Sequence, residues 1–276
     1  MLNDITFGQF YPAKSVIHRM DARVKIVLTV AFIVFTFVAR NALALVVAGT
    51  ALLLFIAASR IPFKMYLKTL KPVIPIIILT SVLNALYVSS GTVLVHFWKI
   101  TVTTGGVTTA VYMSARICIL ILCSSILTYT TSPTELTDAI ERLFSPLKLV
   151  KLDVHSLAMM MTIALRFIPT LIEETDKIMS AQKARGADVE SGGLMKRIKA
   201  LIPILIPLLI SSFRRASELA DAMECRCYHG GEGRTRMKQM KTGMCDYISM
   251  AVFVLLLAGI IFANHSLGGV LYSLLT

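Results

Sequence analysis

Two arginines stand where side chains of this type could do directed chemistry. Arg185 lies in Gln182-Lys183-Ala184-Arg185-Gly186, at the end of a long helical pattern. Arg226 lies in Cys225-Arg226-Cys227-Tyr228, at the end of a second one. A guanidinium at a helix C-terminus suits the negative end of the helix dipole, and its planar fork pairs with a carboxylate through two parallel hydrogen bonds. Basic residues are common in the last turn of any helix, so one such end reads as an ordinary stop. The repetition of the plan suggests two ends that dock into two acidic pockets of a partner.

Other constellations are incomplete. Cys225 and Cys227 stand two apart, but no second pair completes a four-ligand metal site. The remaining cysteines are Cys118 and Cys123 in an apolar run, and Cys245. Five is an odd number, and nothing here resembles an extracellular disulfide framework. His18, His96, His155, His229 and His265 are scattered. Gly230-Gly231-Glu232-Gly233 follows no strand pattern and precedes no Lys-Ser or Lys-Thr, so it is not a phosphate-binding loop. There is no zinc-protease pair and no nucleophile elbow. The expectation is a chain that is not an enzyme, binds no metal or other cofactor, and neither binds nor hydrolyses ATP.

The elements that must position these arginines are dominated by a membrane. The 276 residues are 56% hydrophobic and only 16% charged, against roughly 25% in an average soluble domain. Mean hydropathy is +0.74. The apolar residues fall into long runs at Val24–Val38, Ala42–Ala58, Pro72–Val88, Gly105–Tyr129 and Tyr247–Ala263. These are about the length that a helix needs to cross a bilayer. The first two could instead form a hairpin that does not fully span. The segment from Ser89 to Thr104 is polar. The fold class expected is an all-α integral membrane protein with about five transmembrane helices and long cytoplasmic helices: a membrane region over 1–129, a cytoplasmic helical region over 130–245, and a final span with its tail over 246–276. Apart from Lys25 at the edge of the first run, Arg116 is the one charge inside a run. Its plain role is a bond to a carbonyl or hydroxyl inside the bundle, and its sharper role is part of a substrate or ion path.

The net charge of +12 would suggest nucleic acid in a soluble protein. Here the basic residues take one side. Lys14, Arg19 and Arg23 precede the first run and Lys25 stands at its edge; Arg60, Lys64, Lys68 and Lys71 follow the second; 17 Lys and Arg against 13 Asp and Glu occupy 130–245. An excess of Lys and Arg marks cytoplasmic loops. The N-terminus is therefore expected in the cytoplasm and the C-terminus outside, with the lipid bilayer as partner and no nucleic acid. Within 130–245, Ser132-Pro133-Thr134-Glu135 opens a helix to about Phe144. Asp153 opens another, apolar along Leu157, Met161, Ala164, Ile168 and Leu171, which Gly186 can close in a left-handed cap. A third begins near Leu201, with Pro203 and Pro207 at its start.

The same residues carry a family resemblance. Gln182-Lys183-Ala184-Arg185-Gly186-Ala187 resembles the first Ala-Arg-Gly signature of the transmembrane coupling subunits of energy-coupling factor (ECF) transporters, the EcfT/CbiQ family. Ala222-Met223-Glu224-Cys225-Arg226-Cys227-Tyr228, with Gly230-Gly231-Glu232-Gly233-Arg234-Thr235, resembles the second. Phe7-Gly8-Gln9-Phe10, Ser15-Val16-Ile17-His18-Arg19-Met20-Asp21 and Arg23-Val24-Lys25 resemble the family's opening, in the form of the shared modules rather than those dedicated to cobalt, nickel or biotin. The resemblance implies a non-catalytic scaffold beside two ATP-binding cassette ATPases, which use the ATP, and one small substrate-binding membrane subunit. It implies that uptake of a vitamin or micronutrient into a bacterial or archaeal cell is driven through this chain. It assigns ATPase docking to Ala184, Arg185, Gly186, Cys225, Arg226 and Cys227. The family has Ala and Gly around the second arginine where this chain has Cys225 and Cys227, so the second helix is expected to run on to Tyr228 and cap at Gly230. The alternative function is a self-contained secondary transporter or channel component, which would place polar groups in several spans.

Overall fold

The structure is a computed structural model that describes residues 10–39, 41–88, 90–97, 100–146, 153–186, 193–230 and 242–266. Its helices are α1 (Val16–Arg19), α2 (Ala22–Val38), α3 (Ala42–Ser59), α4 (Phe63–Leu70), α5 (Ile74–Tyr87), α6 (Thr104–Thr130), α7 (Pro133–Leu143), α8 (Val154–Ala184), α9 (Leu194–Glu224) and α10 (Met244–Ser266). A 3-10 turn, Lys71–Val73, joins α4 to α5, and a two-stranded antiparallel hairpin, β1 (Val93–Phe97) and β2 (Ile100–Thr103), precedes α6. The chain divides into two compact units. One is 9–132 with 240–276, and the other is 133–239 with 1–8.

In the first unit α3 is the central helix. Ala44, Ala48 and Ala51 recur on one face, where small side chains let neighbouring backbones come close. They pack with Leu45, Leu52 and Ile56 against Phe32 of α2, Ile119 and Cys123 of α6, and Phe253 of α10. Gly106 near the start of α6 lies against the end of α5: a β-carbon there would stand 2.8 Å from the Ala85 carbonyl and 2.9 Å from that of Val88. Thr103 caps α6, accepting from the Gly106 N–H at 3.1 Å and donating to the Val88 carbonyl at 2.7 Å.

Polar groups close the unit at two levels. Lys25 is buried, and its Nζ donates to the Thr130 carbonyl at the end of α6 at 2.9 Å. Asp246 is buried at the start of α10, where it accepts the Asp21 N–H at 2.9 Å and the Gly243 N–H at 2.7 Å. Asp21 itself caps α2 and pairs with Arg23 at 2.5 Å. At the other level, Tyr112 and Arg116 stand one turn apart on α6 and both donate to the Ala39 carbonyl at the end of α2, each at 2.5 Å. The Arg116 guanidinium also lies 4.8 Å from the centre of the Tyr112 ring. Arg116 thus satisfies a carbonyl that the ended helix leaves open.

Among the described residues five helical stretches are long and apolar enough to cross a membrane, by length and composition alone: Ala42–Ser59, Phe63–Tyr87, Thr104–Thr130, Val154–Ala184 and Ile198–Glu224. Three coincide with runs read from the sequence. α2 has 17 residues, and the apolar part of α10, Met244–Gly259, is likewise shorter. The last two of the five belong to α8 and α9, in the region 130–245 that the sequence analysis expects to be cytoplasmic. Two segments differ from expectation. The basic stretch after α3 is the helix α4, because Tyr66 and Thr69 fall on one face that packs on α6. The polar stretch before α6 holds the hairpin, whose backbone pairs Val93 with Thr103 and Phe97 with Ile100.

In the second unit Asp153 caps α8, accepting from the Ser156 N–H at 3.1 Å. Pro169 sits inside α8. α7 meets α8, where His155 Nδ1 and Glu141 Oε1 are 3.0 Å apart. α9 begins at Leu194, a full two turns before the expected start, so Pro203 and Pro207 lie inside the helix rather than at its entry.

Candidate coupling site

α8 and α9 are 31 residues each and pack against one another. Their contacts fix an antiparallel register. Gln182 meets Pro203, Glu174 meets Arg215, and Tyr228 just beyond α9 meets Met159. Each contact has a local cause. Pro207 has no N–H, so the Pro203 carbonyl lacks its helical donor; Gln182 Nε2 donates to it at 3.4 Å. Arg215 Nη2 donates to Glu174 Oε2 at 2.5 Å, and both side chains are half-buried. The Tyr228 hydroxyl donates to the Met159 sulfur at 3.0 Å. Between the helices lies a groove of about 280 Å³, lined by Phe167 and Leu171 on one side and Leu219 and Met223 on the other.

The two arginine-bearing ends are built alike. At the first, Arg185 is the cap residue and Gly186 takes φ +86°, its N–H bonding the Lys183 carbonyl at 3.0 Å. At the second, the Cys227 N–H bonds the Glu224 carbonyl at 2.8 Å and the Tyr228 N–H bonds the Met223 carbonyl at 3.1 Å. That pair of bonds is a Schellman stop with Arg226 in the cap position. Cys227 takes φ +53°. The expected run of helix to Tyr228 is therefore corrected. α9 stops at Glu224, because the two crossing bonds satisfy its last carbonyls and Cys227 accepts the left-handed conformation that Gly186 takes at the first stop. Gly230 is also left-handed, at φ +95°, but lies beyond the stop.

Ala184, Arg185, Gly186, Cys225, Arg226 and Cys227 are all exposed. Among the described residues neither guanidinium forms a hydrogen bond or ion pair, and the backbone N–H groups of both arginines are taken up by their own helix stops. Because α8 and α9 are antiparallel, the two stops lie at opposite ends of the pair. The Arg226 stop is level with Met159, so roughly 26 residues of α8, about 39 Å at 1.5 Å per residue, separate it from Arg185. Among the described residues no group of three or more His, Cys, Asp or Glu gathers as a metal site, so Cys225 and Cys227 have no further ligands there. Arg116 lies in the other unit, on α6. Ala187, Gly231 to Thr235 and Phe7 to Gln9, which carried part of the resemblance, lie outside the described residues. Sequence reading missed Glu174, Arg215 and the acceptor role of Pro203. Pro207, four residues beyond Pro203, was the available signal for an unpaired carbonyl.

The fold and these ends define a multi-pass helical membrane protein that presents two matched basic stops. The chain belongs to the CbiQ family, described as cobalt transport protein, whose profile matches residues 13–237. It is similar to the energy-coupling factor transporter transmembrane protein EcfT of Acidaminococcus fermentans, 51% identical over 260 residues that cover 93% of this chain and 97% of that one. The protein of the same description from Ruminiclostridium cellulolyticum is 45% identical over 265 residues, covering 96% and 99%. That from Bacillus subtilis is 42% identical over 262 residues, covering 95% and 98%.

Proposed function

We propose that this chain is the membrane-embedded coupling component of an energy-coupling factor importer, and that Arg185 and Arg226 each dock one ATP-binding cassette ATPase. The observation that carries the proposal is the pair of exposed arginines, their guanidinium groups without partners among the described residues, on equivalent stops at opposite ends of one antiparallel helix pair. A separation of about 39 Å is too large for one small pocket and suits two partner molecules side by side. ATP is bound and hydrolysed by those subunits, and this chain is no enzyme. When they close, the two stops are pushed relative to each other. The Glu174–Arg215 pair and the Gln182–Pro203 bond resist sliding, so the helix pair moves as a lever and passes the motion to a small substrate-binding membrane subunit. That subunit selects the vitamin or micronutrient. The basic bias of 130–245 supports a cytoplasmic N-terminus and an external C-terminus in a bacterial or archaeal cell membrane.

The test is affinity purification of the tagged chain from its native membrane in mild detergent. The expected result is co-elution of two ATPase copies and one small membrane protein, with ATP hydrolysis lost when the ATPases are stripped away. A chain that elutes alone and transports substrate when reconstituted by itself would overturn the proposal.

A further inference from the structure

We propose that the outward face of α4 is a binding site for the headgroups of anionic phospholipids. One face of α4 is fixed to the bundle. Tyr66 is fully buried, its hydroxyl 3.1 Å from Ser59 Oγ and its ring 5.6 Å from that of Tyr129 in an edge-on arrangement. Thr69 bonds the Tyr129 hydroxyl. These contacts set the level of α4 at the end of α6, next to the Thr130 carbonyl that Lys25 caps. The opposite face carries Lys64 and Lys68 one turn apart, with Arg60 four residues before and Lys71 three after. All four are exposed. Arg60 ends α3 at φ +56°, a left-handed conformation that a non-glycine residue rarely takes.

None of the four charged side-chain groups has a hydrogen bond or ion pair among the described residues, and their own unit cannot neutralise them. Its acids are Asp21 and Asp246 alone. Asp21 pairs with Arg23, and Asp246 accepts two backbone N–H groups. The anion must therefore come from outside the unit. Beside the cations, Phe63 is 57% and Leu67 51% exposed, and the chain continues into α5, none of whose residues is buried. The occupant must offer negative charge next to a continuous apolar surface. A phospholipid does so, and an acidic protein surface offers only the charge. Basic clusters of this size beside a membrane helix attract anionic lipid, each cation worth roughly a fivefold change in binding.

The experiment uses the full chain in mild detergent, offered equal phosphatidylglycerol and phosphatidylcholine, with bound lipid counted by native mass spectrometry. The wild type should retain phosphatidylglycerol over phosphatidylcholine by roughly tenfold or more. The quadruple variant Arg60→Gln, Lys64→Gln, Lys68→Gln, Lys71→Gln should lose that preference, and Lys→Arg at 64, 68 and 71 should keep it. Should the quadruple variant fail to yield folded protein, Lys64→Gln and Lys68→Gln singly should each lower the preference about fivefold. Equal retention of both lipids by the wild type, or an undiminished preference in the glutamine variants, would overturn the proposal. So would loss of a co-purifying protein with lipid preference intact, which would assign the face to an acidic protein instead.

Discussion

Gly186 and Cys227 occupy the same position of two equivalent helix stops, yet only one is free of a β-carbon clash with its own backbone. The left-handed conformation costs an L-residue about 1 kcal/mol or more, and glycine avoids that cost. Cys227→Gly is therefore expected to stabilise the second stop by about 1 kcal/mol, seen as slower amide exchange over Cys225–Tyr228. Gly186→Ala should destabilise the first stop by a similar amount, since a β-carbon there meets no atom within 4 Å and only the backbone is strained. His18 gives a pH-dependent residue. Its Nε2 must carry the proton that it donates to the Tyr11 carbonyl at 2.9 Å, and Ser15 lies 2.7 Å from Nδ1. Burial lowers its pKa below the ordinary 6.5, and nearby Lys25 acts in the same direction. The folded state thus takes up the proton less readily than the unfolded chain. The stability contributed by burying the neutral imidazole is fully present above pH 6.5 and is lost as pH falls through that value and through the folded pKa below it. Amide exchange over Tyr11–Arg19, corrected for intrinsic rates, should rise between about pH 7.5 and about pH 5.5, and His18→Gln should abolish the pH dependence.

At the scale of elements, backbone contacts decide what side chains are allowed. Gly106→Val should cost about 1–3 kcal/mol, because its side chain would be driven into the Ala85 and Val88 carbonyls at the end of α5, which cannot yield independently. Lower thermal stability in detergent, with unchanged stability of Gly259→Val, would check this, since Gly259 has open space around it. The helices themselves were legible in the sequence, because long uncharged runs and capping residues such as Asp153 act locally. α4 was not, because Lys64 and Lys68, with Arg60 and Lys71 flanking the helix, hide an inward face of only Tyr66 and Thr69, whose partner Tyr129 lies far along the chain. The start of α9 was not, because proline reads as an entry signal, and a neighbouring helix supplies Gln182 to the carbonyl that Pro207 leaves open. The stop after Glu224 was misread for a similar reason: cysteine opposes the left-handed turn, and the crossing bonds to Met223 and Glu224 outweigh that opposition.

For the molecule as a whole, the two arginine motifs could be read from the sequence but their arrangement could not. Their placement at opposite ends follows from the register of α8 against α9, which rests on Glu174–Arg215 and Tyr228–Met159, pairs distant in sequence. If that register transmits work, Glu174→Gln should leave ATPase recovery near wild type while lowering uptake per ATP hydrolysed several-fold. Equal coupling in the variant would remove the pair from the lever. The central claim is that Arg185 and Arg226 hold the ATPases. Truncating one member of a buried charge pair costs about 2–5 kcal/mol, whereas a merely dipole-compatible arginine at a helix end contributes about 0.3–1 kcal/mol. The deciding measurement is the amount of ATPase recovered per membrane chain, with substrate uptake, for Arg185→Ala, Arg226→Ala and the double variant. Each single variant is expected to recover less ATPase, and the double variant to remain inserted in the membrane without its ATPases and without uptake, with Lys at either position rescuing only in part. Wild-type recovery and wild-type uptake in the double variant would contradict the docking role of both arginines.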